Sequence, residues 1–231
     1  MRTAGWQQEG RTGPGAPSPD ELALVEALRR REEAAFVDLV ERHGVALLRL
    51  AQTFVRTRAV AEEVVQETWL GVLKGIDRFE GRSSLRTWIF RILTNIAKTR
   101  AVREGRSAPF SDLESETEEG PLLDPSRFVG AGEPWEGHWR SSPGAWGEPE
   151  ERLLAAEARG VIETAIEALP PGQRAVVTLR DVEGLSSEET CNALEISETN
   201  QRVLLHRART KVRLALETYL TGAAGGQGRD T

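Results

Sequence analysis

The chain has 231 residues, a net charge of −6, one cysteine and three histidines, with 39% hydrophobic and 29% charged residues. That length makes one or two domains, and no run of about 18 apolar residues is available to span a membrane. Cys191 stands alone, which excludes an intrachain disulfide, and His43, His138 and His206 lack partners at metal-ligand spacing. The expectation is a cytoplasmic protein with no metal and no cofactor.

Residues 1–19 are rich in Gly, Pro and Gln and have no apolar h-region, so they read as a disordered tail and not as a signal peptide. A helical domain is expected over 20–104. In "DELALVEALRRREEAAFVDLVERHG", Asp20 is a plausible N-cap and Gly44 a stop, with Leu22, Val25, Leu28, Phe36, Leu39 and Val40 at helical spacing. "VALLRLAQTFV" predicts a further helix. "AVAEEVVQETWLGVLKGI" predicts another, with Glu62, Glu63, Gln66 and Glu67 on exposed sides. "FEGRSS" is a turn, and "SLRTWIFRILTNIAKTRAV" closes the group with Leu85, Trp88, Ile89, Ile92 and Ile96 on one stripe.

Residues 105–149 have weak periodicity and six prolines: Pro109, Pro121, Pro125, Pro134, Pro143 and Pro149. A structureless stretch of that length inside one domain is improbable, so it reads as a flexible tether. It holds Trp135, Trp139 and Trp146, which are expected to dock on a partner's surface or, in the free protein, back on its own domains.

A second helical domain is expected over 150–220, followed by a disordered tail, 221–231, too short for an accessory domain. "EERLLAAEARGVIETAIEAL" is amphipathic and ends at Pro170-Pro171. "GQRAVVTLRDVEG" is a short helix stopped by Gly184. "LSSEETCNAL" opens with Ser186 and Glu189, a Ser-x-x-Glu capping box. After the turn "EIS", a long helix follows with Ser197 as N-cap. No strand is expected, so the fold class is all-α.

Charge is strongly polarised. Between Glu104 and Glu150 there are eleven acidic residues against three arginines, whereas Arg82–Arg103 carries six Lys/Arg and Gln201–Arg213 five, both without an acid. The C-terminal basic helix, its capped predecessor and the three-residue turn form a helix-turn-helix pattern. At 100° per residue, Gln201, Leu205, Ala208 and Val212 face inward. Thr199, Arg202, Val203, His206, Thr210 and Arg213 face outward, with Arg207 at the border. That face offers cations for phosphates, donors for base edges and a methyl-bearing side chain for thymine. The competing reading is a solvated basic face. In the first basic stretch, Arg91, Asn95 and Lys98 share a face, with Arg100 and Arg103 near the end. A basic helix beside a short polar loop can hold a DNA backbone and receive an unstacked base. It can equally be a solvent-facing helix with Trp88 in the core.

The segments "AEEVVQETWLGVL", "FEGRSSLRTWIFRILTNIAKTR", "LPPGQRAVVTLRDVEGLSSEET" and "ISETNQRVLLHRART" resemble, in order and spacing, successive blocks of bacterial sigma-70 factors of the extracytoplasmic-function (ECF) type. The resemblance covers about residues 22–105 and 150–217. It implies two small helical domains, sigma region 2 and helix-turn-helix sigma region 4, joined by a long flexible acidic linker. It implies core RNA polymerase and promoter DNA as partners, and a cognate anti-sigma factor. The regulon implied is one of stress or envelope signals.

By position, the resemblance places Glu63, Gln66 and Glu67 against the polymerase clamp helices. It places the Phe79–Ser84 loop, with Phe79, Arg82, Ser83 and Ser84, at a flipped base of the −10 element. Asn95, Lys98 and Arg100 fall on its DNA-facing helix, beside Arg91. Arg202, Val203, His206 and Arg207, flanked by Thr199, Thr210 and Arg213, fall on the face that reads the −35 element. An apolar residue is usual where Gln201 stands, so Gln201 is either a buried, hydrogen-bonded residue or a shifted DNA contact. Cys191 is expected to be a small core residue in place of alanine.

The function expected is promoter recognition, strand opening and initiation by a non-enzymatic polymerase subunit, with neither membrane insertion nor a small-molecule substrate. Tethering two modest readers to one polymerase raises the effective concentration of each at its element, and opening draws on base capture without a Walker motif. A free-standing dimeric helix-turn-helix regulator would account for the C-terminal domain only. A hydrolase or transferase lacks a nucleophile–base pair, a metal cluster and a phosphate loop.

Overall fold

A computed structural model describes residues 17–104 and 149–226; the tether and its three tryptophans lie outside the described residues. Eight α-helices are described: α1 (Pro19–Arg29), α2 (Glu33–Phe54), α3 (Arg58–Gly75), α4 (Leu85–Arg103), α5 (Pro149–Glu167), α6 (Pro171–Val177), α7 (Ser187–Leu194) and α8 (Glu198–Gly226). A 3-10 turn, Ile76–Arg78, follows α3, and a π turn, Thr178–Val182, follows α6. Among the described residues there is no strand.

Helix α1 starts two residues earlier than the sequence suggests. Ser18, not Asp20, is the N-cap: its hydroxyl accepts from Glu21 N, and Glu21 Oε2 accepts from Ser18 N at 3.0 Å. The other oxygen of Glu21 accepts from Leu85 N at 3.2 Å, the first residue of α4. The break after α1 falls at Arg31, a non-glycine residue with φ 61°. Gly44 does not stop α2, which runs on to Phe54 as one 22-residue helix. A mid-helix glycine costs about 1 kcal/mol. Burial of Leu39, Leu47, Leu50, Ala51 and Phe54 along one side outweighs that cost.

Helices α3 and α4 pack closely because Gly71 and Gly75 leave room for α4. A Cβ on Gly71 would lie 3.0 Å from Ile92 Cγ2, and one on Gly75 would lie 3.1 Å from the Trp88 ring. Trp88 is thereby seated between α3 and Phe79, whose ring centroid lies 5.2 Å away. Phe36 and Trp69 meet edge to face at 6.0 Å on the α2–α3 side. The apolar stripe expected on α4 is wider than predicted: Leu85, Ile89, Phe90, Leu93, Ala97 and Ala101 are buried, while Trp88, Ile92 and Ile96 are half-buried. The reason is position, since α4 packs against α2, α3 and α7.

The second unit is organised around its turns. Gly184, at φ 72°, ends the π turn where the sequence places a stop. The Ser186–Glu189 capping box opens α7, and Ser197 caps α8 by accepting from Asn200 N at 3.2 Å. Arg209 on α8 pairs bidentately with Asp181 of the π turn at 2.7 and 2.9 Å. This sets the recognition helix against the preceding helices. The two units pack on each other along α4–α7 and α2–α6, and one continuous cluster of buried apolar side chains runs from Val25 to Ala208.

Candidate nucleic-acid and polymerase interface

The recognition helix carries most of its expected face into solvent. Thr199, Arg202, Val203 and His206 are exposed, and Arg207 and Thr210 are half-buried. Arg202 makes an exposed pair with Glu198 one turn back, at 2.7 Å, a contact of small worth that phosphate or a base edge can replace. Arg213 departs from the others: it is only 4% exposed, with Glu217 one turn on at 4.0 Å. It therefore lies off the open face on which helical spacing puts it. Gln201 is 2% exposed and its Oε1 accepts from Ser187 Oγ at 3.0 Å, while its Nε2 has no hydrogen-bond partner. Of its two readings, the buried, hydrogen-bonded one holds.

Cys191 is half-buried on α7. Burial, then the Glu198 carboxylate, push its thiol above the ordinary value, against Ser187, Arg180 and Arg202. A thiol kept protonated is a poor nucleophile. Among the described residues no cluster of His, Cys, Asp and Glu could hold a metal, and no helix is long and apolar enough to cross a membrane.

On α3, Glu63, Gln66 and Glu67 are exposed in a row. Arg100 of α4 reaches across to them: its guanidinium contacts Glu63 directly and lies 4.0 Å from Glu67 and 3.8 Å from Glu104. A shallow groove lined by Glu67, Asn95, Ile96, Thr99, Arg100 and Arg103 joins this acidic row to the basic helix. The residues assigned by resemblance to polymerase and to DNA thus adjoin.

The loop before α4 is braced from behind. Arg29 donates to Phe79 O at 2.6 Å and to Ile76 O at 3.4 Å, and Arg31 donates to Leu73 O at 2.8 Å and pairs with Asp77 at 2.7 Å. Gly81 takes φ 69°. Phe79 is 6% exposed and turned inward, so its ring is part of the core beside Trp88 and does not stand with the other loop residues. Arg82 is exposed, paired with Glu80. Ser83 and Ser84 are half-buried, and Ser84 caps α4 by accepting from Thr87 N at 3.2 Å.

The basic face of α4 is not free. Arg91 Nε donates to Glu195 Oε1 at 2.8 Å, and Lys98 Nζ donates to Leu194 O at 2.7 Å at the end of α7. Burial pushes the Lys98 ammonium below its ordinary value, against the pull of Glu195. Asn95 stays exposed. Arg86, Glu183, Glu189 and Glu195, which meet at this seam, carry no signal in a single helix face, although Glu189 shows in the capping motif and Arg86 in the basic run.

A helical unit with a basic inner helix, joined in sequence to a helix-turn-helix with an open basic face, defines a two-module DNA-reading protein. Residues 39–107 match sigma-70 region 2 and residues 159–212 match sigma-70 region 4. The chain is 31% identical over 192 residues to the ECF RNA polymerase sigma-E factor of Escherichia coli K12, covering 82% of this chain and 90% of that one. It is 30% identical over 200 residues to the RNA polymerase sigma-H factor of Pseudomonas aeruginosa, covering 87% and 95%. Among solved structures, CnrH in complex with the cytosolic domain of CnrY matches with a TM-score of 0.51 at 23% identity, over 86% of this chain and 97% of that one, and shows the fold. The chain belongs to the ECF group of the sigma-70 family. It is a non-enzymatic initiation factor that binds core RNA polymerase, directs it to promoters and serves strand opening.

Proposed function

We propose that promoter reading is divided between two faces. Arg91, Asn95, Lys98 and Arg100 on α4, with Arg82, Ser83 and Ser84 of the preceding loop, take the −10 element. Thr199, Arg202, Val203, His206, Arg207 and Thr210 on α8 take the −35 element, and Glu63, Gln66 and Glu67 hold core polymerase. The observation that carries this reading is the open face of α8, where Arg202, Val203 and His206 stand in solvent on a helix fixed by the Arg209–Asp181 pair. The burial of Arg213 supports a packing role, and that of Phe79 supports shaping the loop from within.

The domains are residues 20–104 and 150–220, with a tail at each end and the acidic stretch 105–149 as tether. The protein works in the cytoplasm, where polymerase and DNA are. A cognate anti-sigma factor is its regulator, as the family resemblance implies. Run-off transcription with core polymerase on a promoter library tests the assignment. Arg207→Ala abolishes selection at −35 positions while Cys191→Ala leaves it intact. Unaltered selection by Arg207→Ala at every −35 position would refute the α8 face.

A further inference from the structure

The loop Phe79–Ser84 takes its shape from a segment outside itself: α1 and the residue before its cap reach it at three places. At its start, Arg29 Nη2 donates to Phe79 O at 2.6 Å, and Arg29 Nε donates to Ile76 O at 3.4 Å in the turn before it. At its bend, Gly81 sits against Pro17: a Cβ on Gly81 would lie 3.3 Å from Pro17 Cγ. At its end, Glu21 Oε1 accepts from Leu85 N at 3.2 Å. Helix ends leave carbonyls without intrahelical partners, and basic side chains are suited to take them; Arg31 takes Leu73 O at 2.8 Å in the same way. The frame is itself seated, since Val25 and Leu28 of α1 are each only 2% exposed. Within the loop, the pair of Glu80 with Arg82 is exposed, and a pair of that kind fixes little.

We propose that Pro17, Glu21 and Arg29 are positioning residues for base selection, forming a frame that holds both ends and the bend of the Phe79–Ser84 loop so that Arg82 and Ser83 meet the −10 element in one arrangement. They act through the loop and not on DNA. A recognition loop held in advance loses less freedom on binding, and bases that do not fit the held arrangement are rejected. Freed of the frame, the loop keeps its charge and still meets phosphate, a contact that carries no sequence information. What it loses is discrimination. The stretch matched to sigma-70 region 2 begins at residue 39, so all three residues lie outside it.

The inference rests on the loop as part of the −10 reader, so its test pairs frame variants with a loop variant in the full-length chain bound to core polymerase. Each holoenzyme transcribes a barcoded promoter library randomised at the −10 and −35 elements. Arg29→Met keeps an unbranched apolar stem and removes the donors. It is expected to lower −10 preference about tenfold, the scale of one charge-assisted hydrogen bond, with −35 preference and affinity for core polymerase unchanged. Arg29→Lys, which can donate to one of the two carbonyls, keeps an intermediate preference. Glu21→Ala frees the other end of the loop and gives the same pattern, which keeps the test decisive should Arg29→Met fail to fold. In the R82A/S83A background Arg29→Met has no further effect, because both changes remove the same contacts. An unaltered −10 preference in R82A/S83A would overturn the inference together with the loop reading. A preference lowered by R82A/S83A but by neither frame variant would overturn the frame and leave that reading intact. Equal losses at −10 and −35 would mean a weakened fold and overturn positioning.

Discussion

The two basic helices are presented in opposite ways. On α8, Thr199, Arg202, Val203 and His206 face solvent. On α4, Arg91 and Lys98 are engaged by the end of α7 and Arg100 by Glu63. The helices have comparable charge in sequence, so composition does not set their availability. The difference lies in what a second element brings to each: the end of α7 lays acceptors along α4, whereas Thr199, Arg202, Val203 and His206 of α8 stand exposed. On the proposed assignment, the −35 face therefore stands open in the isolated protein, while the −10 face is engaged by the end of α7.

The largest test of that contrast is the double variant R202A/R207A. It weakens binding of the free protein to −35 duplex by about 1–3 kcal/mol per lost base contact, measured by fluorescence anisotropy. Arg91→Ala leaves that binding unchanged and lowers open-complex formation only with core polymerase present. An effect of Arg91→Ala on −35 binding would break the division. Next, Arg213→Ala lowers the Tm in thermal unfolding and leaves promoter choice alone, because a buried arginine contributes its stem to packing; altered choice at full stability would return it to the reading face.

A smaller effect is expected from Gln201→Leu. The net value of one hydrogen bond is about 0.5–1.5 kcal/mol, and a buried unpaired donor costs about 1–3 kcal/mol. Removing both leaves the Tm equal or higher, with −35 selection unchanged.

The smallest effect is in pH. Burial pushes the Glu189 carboxyl up, but bonds from Ser186 N–H and from the Ser84, Thr87 and Ser186 hydroxyls outweigh it and hold the group below its ordinary value. A depressed carboxyl stabilises the folded state fully above the ordinary value and loses that contribution as pH falls through the depressed one. Thermal unfolding against pH should thus show stability lost on the acid side, with a shallower slope in Glu189→Gln.

Much of this was legible residue by residue. The Ser186–Glu189 box, the Gly184 stop, the Ser197 cap and the exposed α8 face all follow from local rules, because each involves side chains within a turn or two. Gly44 misled because the helix through it is held by burial of Leu47 and Leu50, not by propensity. Phe79 and Arg213 misled for a related reason: helical or loop position gives a direction, and neighbours far along the chain decide whether solvent lies there. The seam between the regions was hidden entirely. Ser84 and Glu189 are 105 residues apart, and nothing in either segment alone announces the other.

Glu21 gives one oxygen to Ser18 N–H and the other to Leu85 N–H, 64 residues further along the chain, so a single carboxylate starts two helices. Inherited variation at this position is therefore judged twice. Aspartate is one methylene short of reaching both amides, and glutamine turns one acceptor into a donor facing a donor. Drift here should be narrower than at an ordinary surface cap, and a change that is tolerated should be accompanied by a second one at the head of α4.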